Sequence, residues 1–203
     1  MPDASPAQPE FWNQRYADAC TPWDLGAAPA ALTRFLARHP GHGRRVLVPG
    51  CGSGHEIPAF ADAGYQVTAI DFADEAIARV RRLCGPRREV ELICGDFFSA
   101  HFALGTFDLI YERTFLCALP LACRAALAAR TAHWVKPGGC VAGLYYYGPK
   151  DDGPPFGLER DEAERLFGTH FELIDDEEIP ARETLPLFAG SERWQVRRRL
   201  TTA

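Results

Sequence analysis

Glycines 50, 52 and 54 follow directly on the apolar run Val46-Leu47-Val48, and Asp71 stands twenty-one residues after Gly50. Alternate glycines open backbone torsions that other residues avoid, and they let a ligand approach the main chain. An acid at the end of the next strand is placed to accept hydrogen bonds from both ribose hydroxyls of an adenosine. A dinucleotide-binding turn reads G-x-G-x-x-G and seats a pyrophosphate on a helix N-terminus. Here the third glycine comes one residue early, giving G-x-G-x-G. That spacing argues against a nicotinamide oxidoreductase. Two more strand ends keep the rhythm: Asp96, followed by Phe97, is placed to accept from an adenine amino group beside a phenyl ring, and Glu112-Arg113 comes next.

Trp12, Tyr16 and Trp23, with Phe11, fall within thirteen residues near the N-terminus. Ring faces attract a desolvated cation by about 2 kcal/mol. The same rings would also serve simply to staple the segment onto the core. A thiol nucleophile, partly ionised near neutrality, needs little general base. A hydroxyl would need one, with Glu112, His55 and His170 as the candidates, although His55 is expected to cap or pack at the helix that follows the glycine turn. Cys51, inside the turn, reads as a small packing residue. In the run Tyr145-Tyr146-Tyr147 the outer two share one face of a strand and Tyr146 takes the other.

The elements that must hold these residues alternate. Residues 1–9, with three prolines, read as a disordered lead-in, and 10–28 as an aromatic segment. A helix is expected over 30–39. Strands are expected over 45–48, 67–70, 90–94, 107–111 and 140–146, with helices over 55–63, 73–83 and 120–134 between them. The 73–83 helix has its acids first and its arginines last, as the helix dipole favours. Lys136-Pro137-Gly138-Gly139 should stop the long helix. A helix over 161–167 and strands over 171–174 and 194–200 complete the chain. Alternating strands and helices with apolar strands predict one doubly wound α/β domain over 1–203, with helices on both faces of a mostly parallel sheet.

The remaining composition narrows the function classes. With 22 Lys plus Arg against 27 Asp plus Glu, the net charge is −5. An acidic chain lacks the electrostatic footprint of a nucleic-acid binder. No run of 18 apolar residues exists to cross a membrane. The seven cysteines contain no CxxC pair and no zinc spacing, so reduced buried thiols, a cytoplasmic location and no metal are expected. The arginine run 197–199 and the acidic run 175–178 read as solvated surface.

The succession of strand ends resembles the class I S-adenosylmethionine-dependent methyltransferases over about residues 45–200. Three motifs resemble a narrower group, the thiopurine S-methyltransferase superfamily, and within it the halide and thiol methyltransferases. They are Trp12-x3-Tyr16-x6-Trp23-Asp24-x-Gly26, Val48-Pro49-Gly50-Cys51-Gly52-Ser53-Gly54-His55, and Gly153-Pro154-Pro155-Phe156. The resemblance implies a sheet of seven strands with the last antiparallel and S-adenosyl-L-methionine as cofactor. It implies cofactor contacts from Trp12, Tyr16, Trp23, Gly50, Gly52, Gly54, Asp71, Phe72, Asp96, Phe97 and Glu112, with the N-terminal segment as a lid over the sulfonium. Tyr16 departs from a tryptophan, and Glu112-Arg113 stands where the halide type resembles Asp-Tyr and the thiopurine type Asp-Arg. Glu112 and Arg113 are therefore the catalytic candidates, Arg113 as a fork that would orient an anionic or carboxylated acceptor.

The implied reaction is methyl transfer to a small soft nucleophile, a thiol or a related sulfur or halide species, by a monomer acting on a small molecule. An O- or N-methyltransferase of a small metabolite, or a non-catalytic module that only binds the cofactor, remain as alternatives.

Overall fold

The computed structural model of the chain describes residues 5–150, 153–188 and 190–201. The architecture is α/β, and seven strands form a mixed, mostly parallel sheet in which the last strand runs antiparallel to its neighbours. Two compact units divide at Ala100 and His101.

The first unit holds three parallel strands in the order β3-β2-β1: β1 (Arg45–Pro49), β2 (Gln66–Asp71) and β3 (Val90–Cys94). After one exposed residue each, β1 and β2 are buried throughout. That is the pattern of strands covered on both faces, and it is why their apolar runs are nearly continuous. Four helices accompany them: α1 (Pro9–Ala17), α2 (Ala30–Arg38), α3 (Glu56–Asp62) and α4 (Asp74–Cys84). Helix α4 opens on Asp74 and Glu75, closes on Arg81 and Arg82, and buries Ala76, Ile77 and Val80.

Helix α1 was not predicted as an element. The expected lead-in shrinks accordingly: residues 1–4 lie outside the described residues, the Gln8 N–H donates to the Ser5 carbonyl, and Pro9 takes the first helical position. Proline suits that position because its missing N–H would have no helical partner there.

The second unit holds four strands in the order β4-β5-β7-β6: β4 (Phe107–Arg113), β5 (Val135–Tyr146), β6 (Phe171–Glu178) and β7 (Glu192–Arg199). Strands β4 and β5 are parallel, and β7 runs antiparallel to both β5 and β6. Helices α5 (Arg124–Trp134) and α6 (Glu162–Phe167) belong to this unit.

Three expectations are corrected here. The helix expected from residue 120 begins as a 3-10 turn, Leu121–Cys123, preceded by another at Leu116–Ala118, and α5 starts only at Arg124. Pro120 itself is extended, with ψ 141, and its carbonyl accepts from Cys123 N–H to close the second turn. Strand β5 begins five residues early, at Val135, and runs through Lys136-Pro137-Gly138-Gly139 as an irregularity. Phe107 pairs with Val135, and the register then slips to Leu109 against Cys140, with Gly138 at φ +77. The arginine run is only partly surface. Residues alternate along β7, so Arg197 is only 2% exposed while Arg198 points out to Glu172. The acidic run lies within β6, where Arg193 pairs with Asp176 and Glu178.

Candidate active site

In the first unit the carboxyl ends of β1 and β2 meet at the glycine turn, where doubly wound sheets bind ligands. Gly50, Gly52 and Gly54 have φ +54, +51 and +72. Their uses differ. A Cβ at Gly54 would stand 2.5 Å from Val80, so this glycine lets the turn pack against α4. A Cβ at Gly52 would have only the Tyr16 hydroxyl, at 3.0 Å, in close approach, so this glycine opens the main chain to a ligand.

Asp71 ties the turn to the end of β2. Its Oδ2 accepts from Gly52 N–H and its Oδ1 from Ala73 N–H, both at 2.9 Å. Each carboxylate oxygen keeps a second lone pair for a ribose hydroxyl. Burial pushes Asp71 up to about 6 in spite of hydrogen bonds from the Ala73, Gly52 and Phe72 amides. Asp96 is also occupied locally: it accepts from Phe98 N–H at 2.9 Å and from the Ser99 hydroxyl at 2.8 Å. Phe97 beside it is buried, edge-on to Phe98.

The aromatic segment is brought to this turn. Trp23 meets Trp12 edge-to-face at 5.3 Å and Tyr16 at 6.0 Å. Tyr16 forms a buried cluster with Ala73 and Ala76, against which Trp12, Trp23 and Phe72 pack. The Arg79 guanidinium lies 4.9 Å from the Tyr16 ring and donates to the Tyr16 carbonyl at 2.7 Å. Burial and the Asp71 charge push the Tyr16 hydroxyl well above the ordinary range, so it stays protonated.

Sequence reasoning gave Asp24 no role. The structure makes it the joint between this segment and the turn: it accepts from the Ser53 hydroxyl through Oδ2, and its Oδ1 lies 2.9 Å from His55 Nε2. His55 therefore does not cap α3, which it precedes without a side-chain cap bond. The readable signal was that Asp24 stands inside one of the quoted motifs and His55 closes another.

A Gly52→Val substitution strains a left-handed backbone position and drives a methyl group into Tyr16. The expected outcome is loss of cofactor binding by calorimetry with a retained cooperative melt. Unchanged binding would reduce Gly52 to a turn residue.

In the second unit Glu112 and Arg113 end β4. Glu112 is 4% exposed, and its Oε1 accepts from the Phe115 and Leu116 amides at 3.1 and 2.8 Å. Burial pushes it up to about 7, the two amide bonds oppose this, and Glu192 adds to the rise. Burial likewise raises Glu192, and the Arg113 charge draws it back down. Glu112 also lines a small cavity of about 10 Å³ at the carboxyl ends of β4 and β5, with Leu116, Cys117, Leu144, Tyr145, Tyr146 and Leu158. Among the described residues no group of three or more His, Cys, Asp or Glu side chains could hold a metal, and no helix is long and apolar enough to cross a membrane. All seven cysteines are free, but only Cys51 and Cys117 are buried.

This fold is shared across the whole chain with a solved structure from Burkholderia thailandensis, 1,6-didemethyltoxoflavin-N1-methyltransferase with bound 1,6-didemethyltoxoflavin and S-adenosylhomocysteine. The TM-score is 0.76 at 20% identity, covering 99% of this chain and 93% of that one. The chain is an S-adenosylmethionine-dependent methyltransferase, as the family it matches shows. The family model for thiopurine S-methyltransferase matches residues 7–200, and the chain belongs to that family. "Probable thiol methyltransferase 2" of Arabidopsis thaliana is 31% identical over 80% of this chain and 74% of its own. Thiopurine S-methyltransferase of Pseudomonas fluorescens is 30% identical over 88% of each chain.

Proposed function

We propose that this methyltransferase acts on a small soft nucleophile, a thiol first and a halide or thiocyanate next. The sulfur chemistry named for its relatives carries the reading. The small cavity at the ends of β4 and β5, walled by Leu116, Leu144 and Leu158, gives a soft acceptor atom apolar surroundings. Relatives named for thiol and thiopurine methylation support sulfur as the acceptor atom. Bound S-adenosylmethionine supplies an electrophilic methyl group on a sulfonium. Asp71 holds the ribose and Gly50 and Gly52 admit the amino-acid end, while Phe72, Asp96 and Phe97 surround the adenine. Trp12, Tyr16 and Trp23 face the cation and exclude water. The free cysteines fit a reducing cytoplasm.

A second reading, an O-methyltransferase, would use the buried Glu112 carboxyl, near 7, as the general base that a hydroxyl acceptor requires. Incubation with labelled cofactor and methanethiol, thiocyanate, iodide or phenol separates the two. Thiol and anions should accept label and phenol should not; preference for phenol would establish the second reading. As a lid, the segment 9–24 should also resist proteolysis when S-adenosylhomocysteine is bound. Equal cleavage with and without it would make the segment a fixed staple.

For Arg113 the surroundings favour a propping role over a carboxylate fork, because its charge acts on buried Glu192 and Glu112. Arg113→Met should then lower turnover of 3-mercaptobenzoate and thiophenol alike. A rise in KM confined to the carboxylated thiol would restore the fork.

A further inference from the structure

Two groups in the second unit's cavity have capacity left over. Glu112 pairs in register with Gly143 of β5, and Tyr145 lies two residues further along that strand, so Glu112 and Tyr145 project from the same face of the sheet. Gly143 puts no side chain between them. Glu112 spends Oε1 on two backbone amides, neither of which engages its second carboxylate oxygen, Oε2. The Tyr145 hydroxyl is buried without a hydrogen-bond partner, in a residue that is 1% exposed. A buried hydroxyl with no partner is destabilising, and an acceptor atom in the cavity would relieve that. The third polar group there, Cys117, is no rival nucleophile. Its Sγ donates to the Thr114 carbonyl, and burial together with the Glu112 charge holds the thiol protonated.

The geometry points to this pair as the device that binds and ionises the acceptor: Glu112 takes the S–H proton of a small thiol, and the Tyr145 hydroxyl donates a hydrogen bond to the resulting thiolate. The inference rests on the soft-nucleophile reading and deepens it. The bookkeeping is complete. The S–H proton passes to Glu112, and the thiolate's electron pair forms the new sulfur–methyl bond. The sulfonium carbon–sulfur bond breaks with its electrons going to the departing sulfur. A methyl thioether and S-adenosylhomocysteine result, and Glu112 returns its proton to water.

Such a device treats thiols and anions oppositely. A thiol needs Glu112 ionised; iodide needs no deprotonation and is repelled by that charge. The groups facing Glu112 are Glu192 of β7, Arg113 of its own strand, Cys117 of the 3-10 turn and Tyr145 of β5. Tyr145 also feels Arg197 of β7, and burial and the Glu112 charge keep its hydroxyl protonated. With Glu112 titrating at about 7, methanethiol turnover should rise with pH through that value while iodide turnover falls through it.

The test measures both acceptors from pH 5.5 to 8.5 with S-adenosylmethionine. Glu112→Gln should cut methanethiol turnover about 100-fold, abolish both pH limbs and raise iodide turnover at pH 8.5 above the wild-type level, since the repelling charge is gone. Tyr145→Phe, which keeps the ring packed on Phe167, should raise KM for both acceptors about 10-fold or more and leave the limbs in place. Infrared titration of the protein alone should find a carboxyl near 7 that disappears in Glu112→Gln. Parallel limbs for the two acceptors, or equal losses for both in Glu112→Gln, would overturn the proposal and leave Glu112 as a cap of the 3-10 turn. If the cofactor binds but no soft acceptor is methylated at any pH, the acceptor reading itself fails and takes this proposal with it.

Discussion

Replacing Asp71 by alanine should weaken S-adenosylmethionine binding by about 2–4 kcal/mol, roughly 30- to 1,000-fold, through lost charge-assisted bonds and two unpaired ribose hydroxyls. The fold should survive, because the same change removes a carboxylate that burial already disfavours. Its pH signature follows from the shift from 3.8 to about 6. Between those values the folded protein retains a proton that the unfolded chain has released, so stability falls as pH rises through the window. Glu112, moved from 4.5 to about 7, acts in the same direction. Cofactor affinity should run the other way, since the hydroxyls bond best to the ionised carboxylate. Calorimetry at pH 5 should find affinity about 10-fold lower than at pH 7.5 in the wild type, with no such step in Asp71→Ala. Undiminished affinity in a folded Asp71→Ala protein would remove Asp71 from the cofactor site.

What was legible in the chain was what local periodicity encodes. Val46-Leu47-Val48 and Val67–Ile70 are buried on both faces, and a run that is apolar but for Thr68 is the direct mark of that. The glycine turn and the acid at the end of β2 were legible because positive φ and strand-end placement each demand a residue type. What was not legible depends on distant partners. Arg197 reads as one of three surface arginines until β7 pairs with β5 and places it inward, where it meets Glu164 at 2.8 Å. Asp24 reads as a loop acid until the turn brings Ser53 and His55 to it. The orphan hydroxyl of Tyr145 is invisible to any pattern, because the absence of a partner is a property of the packed state. Glycine was ambiguous for a related reason: Gly52 and Gly54 look alike in sequence, and only their neighbours divide them into a ligand approach and a helix contact.

The same limit hid Arg124, whose replacement should have the largest effect on stability. It opens α5 and is 2% exposed. Its guanidinium donates to the carbonyls of Phe156 and Gly157 and, at 2.6 Å, to Glu162 Oε1. Those carbonyls belong to the segment after Gly153-Pro154-Pro155, where Phe156 N–H donates to the Cys117 carbonyl and Leu158 N–H to that of Tyr146. Arg124 thus fixes the wall of the acceptor cavity from behind. Breaking a buried ion pair from one side costs about 3–5 kcal/mol. The lower end applies here, because Lys150 at 2.9 Å and the Glu159 amide still hold Glu162, which burial raises and these bonds draw down to about 2. Arg124→Met should therefore lower stability by about 3 kcal/mol, a fall in Tm of roughly 6–12 °C for a chain of this size. Arg124→Lys should recover only part of it, since a single ammonium cannot span two carbonyls and a carboxylate as a planar fork does. Thermal melts and amide exchange at Phe156 and Leu158 check both points. A loss below about 1 kcal/mol would mean that the loop holds itself, and that the cavity wall owes nothing to Arg124.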